Sequence, residues 1–211
     1  NEYYRNSLIV IQASRANIFF FFLVNNTIPT LITMTDNTLS TGRVIIYSNV
    51  LADNTLTQGP IIHALQAPQF QFVNNTVINH TFGESDNEYS IIGLGSEGSF
   101  YPENQQFDIH NNLFFANGSA SGGDSGFALI QLLSDYTSPF ACQSVITNDG
   151  NYARYNWFIS SEGYTVPACD VNMVGTPADP QNGNVFSIVS PTPTEVEAFI
   201  ATYFVGSEDI H

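Results

Sequence analysis

Residues 70–77 read Phe-Gln-Phe-Val-Asn-Asn-Thr-Val, a short apolar strand that runs directly into two asparagines. The same order of strand, asparagine and further apolar residue recurs in residues 21–28, 45–51 and 107–114. Aligning Asn26, Asn49, Asn75 and Asn112 gives spacings of 23, 26 and 37 residues. The first two spacings are typical of solenoid coils and the third predicts an inserted loop, so this repeat decides the fold.

A second family of apolar strands lies between these segments, beginning near residues 7, 30, 60, 89 and 127. β-Branched and aromatic residues dominate both families, helical periodicity is nearly absent, and turn-forming residues interrupt the chain at short intervals. The chain is therefore predicted to be all-β. Coils stacked about 4.8 Å apart would place the repeated asparagines one above another, where their amides can hydrogen-bond in a ladder. A β-sandwich remains the alternative, because short strands with polar turns are typical of it too.

The repeat resembles the right-handed parallel β-helix of the pectate-lyase-like superfamily, with its asparagine ladder, over about residues 7–135. Residues 72–75 and 114–117 fit the Phe-x-x-Asn element of polymorphic outer-membrane-protein repeats, and residues 121–123 resemble the neighbouring Gly-Gly. The Ala-Ile that follows in that family is missing after Gly123. The resemblance implies a solenoid of about five coils and says less about function, because adhesins, lyases and fibres share such repeats.

The remainder of the chain loses this repeat, which divides it into a solenoid over residues 1–137 and a C-terminal cap or docking segment over residues 138–211. Cys142 and Cys169 lie in the second part, and we expect a disulfide between them; two buried reduced thiols are the alternative. A short helix is predicted to begin at Thr194, with Glu195 and Glu197 in its first turn.

The charge balance excludes several classes of partner. The 211 residues contain 19 acidic residues, four arginines and no lysine, for a net charge of −15. Nucleic acids and anionic membrane surfaces are therefore not expected as partners. The longest apolar run has seven residues, far fewer than the roughly 20 of a membrane-spanning helix. The start of the sequence lacks both an initiator Met and a signal peptide, which suggests a mature product or an excised piece of a precursor.

Four glycosylation sequons predict a secreted or cell-surface glycoprotein, as the cysteine pair does. Their asparagines are Asn25, Asn74, Asn79 and Asn117. In a chain rich in Asn and Thr several such sequons are expected by chance.

Two further loops contain residues of the types that bind metal ions or take part in catalysis. Glu84, Asp86 and Glu88 alternate along one acidic loop and make calcium a possible ligand, with a solvated acidic loop as the alternative. No other cofactor is expected. Residues 123–126 read Gly-Asp-Ser-Gly, the string around a serine-protease nucleophile, but the histidine context of that family is absent and we interpret it as a turn. No catalytic residue is predicted.

The run of residues 18–24, Ile-Phe-Phe-Phe-Phe-Leu-Val, is the most unusual local feature. Alternation along a strand would leave about half of Phe19, Phe20, Phe21 and Phe22 on the surface. Such a flat apolar strand is either an association surface or is covered by the chain's own tail.

The leading functional hypothesis is a structural or adhesive solenoid that associates with copies of itself into a filament or surface layer. A carbohydrate-active enzyme is the second hypothesis, with a carboxylate pair drawn from Glu84, Asp86, Glu97, Glu103, Asp108 and Asp124. A carbohydrate-binding adhesin module that stacks sugars on exposed Tyr and Trp is the third.

Overall fold

A computed structural model gives the structure of the chain and describes part of it. The described residues are 7–11, 15–34, 43–57, 60–64, 69–82, 90–94, 106–115, 118–119, 128–132, 152–159, 174–176, 178–179, 182–187 and 194. These residues contain twenty β-strands, which follow one another in repeated coils.

The first coil contains β1 (Ser7–Ile11), β2 (Arg15–Phe19), β3 (Phe22–Val24) and β4 (Thr27–Ile28). The second contains β5 (Thr30–Met34), β6 (Arg43–Tyr47), β7 (Val50–Ala52) and β8 (Thr55–Leu56). The third contains β9 (Ile62–Ala64), β10 (Gln69–Val73), β11 (Thr76–Ile78) and β12 (Thr81–Phe82). The fourth contains β13 (Ser90–Leu94), β14 (Gln106–His110), β15 (Leu113–Phe115) and β16 (Gly118–Ser119). The fifth contains β17 (Ala128–Leu132), β18 (Tyr152–Arg154) and β19 (Trp157–Ile159), and β20 (Val185–Ser187) follows.

Strands at the same place in successive coils form four sheets. Sheet A has the order β1-β5-β9-β13-β17, sheet B β2-β6-β10-β14-β18, sheet C β3-β7-β11-β15-β19-β20 and sheet D β4-β8-β12-β16. Every pair among the described strands is parallel. The protein is therefore an all-β parallel solenoid, which does not fit the antiparallel sheets of a β-sandwich.

The core forms because alternate residues of each strand point inward and stack on their register partners. In sheet C, Phe114 and Phe158 stack with ring centroids 4.9 Å apart and an interplanar angle of 7°. Phe158 in turn stacks on Phe186 at 5.2 Å. Stacked apolar side chains exclude water along the whole solenoid axis, and this burial is the main stabilising contribution.

Corners between sheets are made by residues with left-handed backbone. Between sheets B and C these are Phe20, Ser48, Asn74, Asn111 and Tyr155, with φ between 54° and 56°. Between sheets C and D they are Asn25, Asp53 and Asn79, with φ between 52° and 63°. One left-handed residue turns the chain between two short strands, and asparagine adopts this conformation at low cost.

The solenoid continues past residue 137, which we predicted as its end. β18 pairs with β14, β19 pairs with β15, and β20 pairs with β19, so sheets B and C extend into the predicted cap. The repeat is hard to see there in the sequence because long connections separate these strands. The predicted helix lies outside the described residues except for Thr194, which is exposed, and the two cysteines lie outside them.

Candidate association surface

A ladder of buried asparagines runs along the corner between sheets B and C. Asn75 shows the pattern: its Oδ1 accepts hydrogen bonds from the backbone N–H and the Nδ2 of Asn49, at 3.0 and 2.9 Å. Its Nδ2 donates to Asn112 Oδ1 at 3.2 Å and to the carbonyl of Ile46 at 2.9 Å. Both donors and both lone pairs of the amide are used, which removes the cost of burying it.

The predicted ladder residues Asn49, Asn75 and Asn112 are brought together by these bonds. Two further members, Asn156 and Asn184, were missed: Asn156 Oδ1 accepts from Asn112 Nδ2 at 2.9 Å, and Asn184 Oδ1 accepts from Asn156 Nδ2 at 3.1 Å. The sequence does carry the ladder pattern there, because the apolar residues 157–159 follow Asn156. The pattern was overlooked because Asn156 lies 44 residues after Asn112, far more than the other repeat spacings.

Asn26 lies in a different ladder from the one predicted. Its Nδ2 and backbone N–H both donate to Asn54 Oδ1 at 2.9 Å, at the corner between sheets C and D. In the third coil His80 takes the equivalent place, and its Nδ1 accepts the backbone N–H of Asn54 at 3.2 Å. Burial lowers the pKa of His80 to about 4, while the nearby Asp53 carboxylate acts in the opposite direction. The imidazole is therefore neutral near pH 7 and serves as an acceptor in place of an amide oxygen.

The first coil breaks the ladder between sheets B and C. Phe21 occupies the ladder position there, and only its backbone N–H donates to Asn49 Oδ1, at 3.0 Å. The left-handed residue before it is Phe20. Bulky side chains rarely adopt this conformation, yet the first coil has two aromatic residues at this corner, where the second, third and fourth coils have polar ones.

All four phenylalanines of the run are exposed, whereas strand alternation predicted about half. The reason is that the run is not one strand: β2 ends at Phe19, Phe20 and Phe21 form the corner, and β3 begins at Phe22. Phe20 and Phe22 are 72% and 73% exposed. Phe19 stacks on Tyr47 of the next coil at 5.2 Å, and Phe20 meets the edge of the same ring at 6.4 Å.

The exposed apolar surface is concentrated in this coil. Among the described residues, the exposed large apolar side chains of the first coil are Leu8, Val10, Phe19, Phe20, Phe21, Phe22 and Val24. Outside it there is only Tyr155 in that part of the chain. The strands β1, β2, β3 and β4 each stand at the end of their sheet among the described strands. We call these seven residues the first-coil apolar surface.

The outer face of sheet B carries a polar cleft. Arg43, Gln69, Gln71, Gln106 and Asp108 line a cavity of about 280 Å³. Arg43 Nη2 donates to Gln71 Oε1 at 2.7 Å, and Gln69 Nε2 donates to Gln106 Oε1 at 3.4 Å. The cleft thus presents amide, guanidinium and carboxylate groups with one positive and one negative charge.

Two further polar residues continue this cleft. His110 Nδ1 lies 2.8 Å from Asp108 Oδ1, and Arg154 Nη2 lies 3.6 Å from Asp108 Oδ2. Of the six carboxylates considered for glycoside hydrolysis, Asp108 alone lies in the described residues. Trp157 is buried on the outer face of sheet C against Leu113, Phe115 and Val185, so it cannot serve as a sugar-stacking platform.

The sequon asparagines differ in accessibility. Asn25 is exposed, Asn74 is half-buried, and Asn79 is exposed while its Nδ2 donates to Asp53 Oδ1. Asn117 lies outside the described residues. Asn25 is therefore the most open acceptor of the three.

Glu84, Asp86 and Glu88 lie outside the described residues, and within the described part no three His, Cys, Asp or Glu side chains are grouped to hold a metal. Within the same part, no helix combines the length and apolarity needed to cross a bilayer.

Comparison with known proteins gives no relative: no family model, no curated protein and no solved structure matches this chain.

Proposed function

We propose that this protein is a secreted or cell-surface structural solenoid that associates with copies of itself through the first-coil apolar surface. The observation that supports this function is the position of seven exposed large apolar side chains on the first coil, whose four strands each stand at the end of their sheet among the described strands. Exposed apolar side chains beside unpaired strand edges favour association with another strand-bearing surface.

The mechanism in this proposal is mechanical. Parallel backbone pairing and the asparagine ladder hold successive coils rigidly together, and the first-coil apolar surface provides the attachment point. The net charge of −15 keeps assembled copies soluble. A glycan on Asn25 would sit at the edge of the attachment point, next to Val24, and would limit which faces of the coil another copy can approach.

The test is sedimentation velocity and negative-stain microscopy of the full chain beside a Phe20→Ser/Phe22→Ser double variant. We expect the native chain to form filaments or higher oligomers, and the variant to shift at least tenfold toward monomer at equal concentration. The matched control is Ile45→Ser, which removes an outward-facing apolar side chain of the second coil, between Asn17 and Gln71 in register. Circular dichroism checks that each variant is folded.

A monomeric native chain would overturn the proposal, and so would a double variant that assembles as the native chain does. Loss of assembly in Ile45→Ser as well would show that general destabilisation, rather than the first coil, explains the effect.

A carbohydrate-binding function is the second candidate, and the cleft on sheet B favours it. Planar amide, guanidinium and carboxylate groups can each make paired hydrogen bonds to the neighbouring hydroxyls of a sugar. Asp108 carries one negative charge between the positive charges of Arg43 and Arg154, so the cleft has a small net charge in a protein of strongly negative charge, and a neutral ligand fits it better than an anionic polymer would fit the whole surface. Aromatic rings of Phe19 and Tyr47 lie on the same outer face of sheet B.

Calorimetry with neutral oligosaccharides tests this second candidate. We expect binding in the micromolar to millimolar range, lost in Gln71→Ala and retained in Phe20→Ser/Phe22→Ser, because that pair lies outside the cleft. Absence of binding across a panel of neutral glycans would leave self-association as the function.

A further inference from the structure

Two arginines lie side by side on the outer face of sheet B. Arg15 and Arg43 are register partners at the starts of β2 and β6, on neighbouring strands about 4.8 Å apart. Two like charges at directly opposed positions of a sheet are destabilising. The pair therefore works against folding, and the fold by itself gives no reason for a positive charge at both positions.

Neither charge of this pair is neutralised within the part of the chain that the structure describes. Arg15 is exposed and has no hydrogen-bond or ion-pair partner there. Arg43 Nη2 donates to the Gln71 side-chain oxygen at 2.7 Å, which orients the guanidinium and leaves its charge intact. Arg154 on the fifth coil differs, because its Nη2 lies 3.6 Å from the Asp108 carboxylate. The Arg15–Arg43 pair thus has unused donors and two positive charges for an anionic group from outside.

The pair lies on the same face as the aromatic part of the first-coil apolar surface. Alternation along β2 places Arg15 and Phe19 outward, and alternation along β6 does the same for Arg43 and Tyr47. Phe19 is 45% exposed and stacks on Tyr47 at 5.2 Å. The two strands therefore present positive charge at their starts and aromatic surface at their ends. A partner surface that carries both carboxylates and apolar side chains fits this combination.

The charge distribution along the chain favours a second copy as that partner. Residues 1–43 contain three arginines and two acidic residues, a net charge of +1. Residues 44–211 contain one arginine and 17 acidic residues, a net charge of −16. Contact between the first part of one copy and the acidic remainder of another is therefore attractive, whereas two acidic surfaces repel each other.

We propose that the Arg15–Arg43 pair binds carboxylates of a second copy, so that the self-association contact extends from the first-coil apolar surface onto the outer face of sheet B. A planar guanidinium donates two parallel hydrogen bonds to one carboxylate, and guanidiniums on adjacent strands can hold one carboxylate between them. This inference rests on the proposed self-association and names the chemistry of the partner surface for it.

Sedimentation velocity of Arg15→Gln beside the native full chain, at low and at high salt, tests this inference. Arg15 is the suitable position because it is exposed and, unlike Arg43, does not line the cleft on sheet B. At about 0.1 M NaCl we expect the association constant of the variant to be about fivefold lower than that of the native chain. At about 1 M NaCl, where the screening length is about 3 Å, the difference should fall below about twofold. Arg15→Lys keeps the charge and should stay within about twofold of the native chain at both salt concentrations.

Asn182→Asp is the matched control for net charge. It makes the chain more negative by one unit, as Arg15→Gln does, at an exposed position after β19 and with a side chain of the same shape. We expect its association constant to stay within about twofold of the native value. Urea denaturation checks that each variant is folded, and Arg15→Gln should be at least as stable as the native chain because one of two like charges is removed.

The possible results separate this inference from the function on which it rests. Equal association of Arg15→Gln and the native chain at about 0.1 M salt overturns the role of the arginine pair and leaves self-association standing. A deficit that persists at about 1 M salt overturns it as well, because the loss then comes from packing of the arginine stem. An equal loss in Asn182→Asp would attribute the effect to net charge and have the same consequence. A native chain that stays monomeric overturns both the inference and the proposed function.

Discussion

The corner between sheets B and C is built with opposite chemistry in the third coil and in the first. The third coil uses the left-handed Asn74 followed by Asn75, whose amide is fully hydrogen-bonded and buried. The first coil uses the left-handed Phe20 followed by Phe21, and both rings are exposed. The backbone path is the same in the two coils, because Val50 N–H donates to the Phe21 carbonyl as Leu113 N–H donates to that of Asn75.

The two coils show that turning the chain at this corner and burying an asparagine amide there are separate requirements. A left-handed residue and a backbone hydrogen bond are enough to turn the chain in the first coil. In every later described coil a buried asparagine follows the left-handed residue and supplies partners to buried polar groups of its neighbours. The first coil carries apolar side chains in its place.

The largest expected effect comes from removing an inner ladder amide. Asn112→Ala leaves the Nδ2 and N–H of Asn75, the carbonyl of Phe72 and the Oδ1 of Asn156 short of partners inside the protein. We expect the free energy of unfolding to fall by roughly 3 to 5 kcal/mol, measured by urea denaturation.

The control for this prediction is Asn26→Ala in the first coil, where the side chain is half-buried and water can replace its bonds. We expect a loss of less than about 1 kcal/mol there. Equal losses at the two positions would show that the fourth and first coils do not differ in this respect.

Acid should weaken the inner coils through their buried histidines. Burial lowers the pKa of both His63 and His80 from 6.5 to about 4. The unfolded chain takes up these protons as pH falls below about 6.5, while the folded chain takes them up only near pH 4. The stabilisation is fully present above pH 6.5 and is lost between pH 6.5 and 4, by about 3 kcal/mol for each histidine.

His80→Asn isolates one of these contributions, because asparagine keeps an acceptor for Asn54 and does not titrate. Urea denaturation from pH 7 to pH 4 should show a loss of stability about 3 kcal/mol smaller in the variant than in the native chain. Parallel pH profiles for the two chains would mean that His80 does not contribute to acid sensitivity.

The corner residues also explain which parts of the structure the sequence predicts. Asn49, Asn75 and Asn112 could be found because each is the second residue after a short apolar strand, with separations of 26 and 37 residues, and the parallel solenoid follows from that repeat. Asn156 and Asn184 were missed because the long connection between Asn112 and Asn156 removes the spacing signal. Asn26 was assigned to the wrong ladder because it too follows an apolar run.

The misassignment of Asn26 has a physical origin in the aromatic run. A strand pattern cannot reveal that Phe20 adopts left-handed backbone, because a bulky residue seldom does so. The sequence therefore predicted one strand with about half of its four phenylalanines on the surface. The structure has two strands separated by a corner, and the true counterpart of Asn49 is Phe21, 28 residues earlier.

Gly183 is the left-handed residue before Asn184, and it allows a smaller test of what a left-handed corner position requires. Its φ is +71°, and a Cβ built on it would lie 2.5 Å from Cδ1 of the Tyr155 ring. Gly183→Ala should therefore lower the free energy of unfolding by about 2 kcal/mol, through backbone strain and displacement of the ring. In a Tyr155→Ala background the cost should fall to about 1 kcal/mol. An unchanged cost in that background would attribute the whole effect to the backbone.

The smallest effect on stability is expected where the first coil departs most from the others. Phe20→Asn gives the corner a residue suited to left-handed backbone and removes the edge contacts of the Phe20 ring with Phe19, at 5.6 Å, and with Tyr47. Relief of strain and loss of these contacts are similar in size, so the free energy of unfolding should change by less than about 1 kcal/mol. Association measured by sedimentation velocity should nevertheless weaken several-fold, because the ring leaves the first-coil apolar surface. Stability and association would then respond to different properties of one residue, which is expected if the phenylalanines of the first coil serve contact with another chain rather than folding. A variant that unfolds more easily and associates unchanged would reverse that assignment.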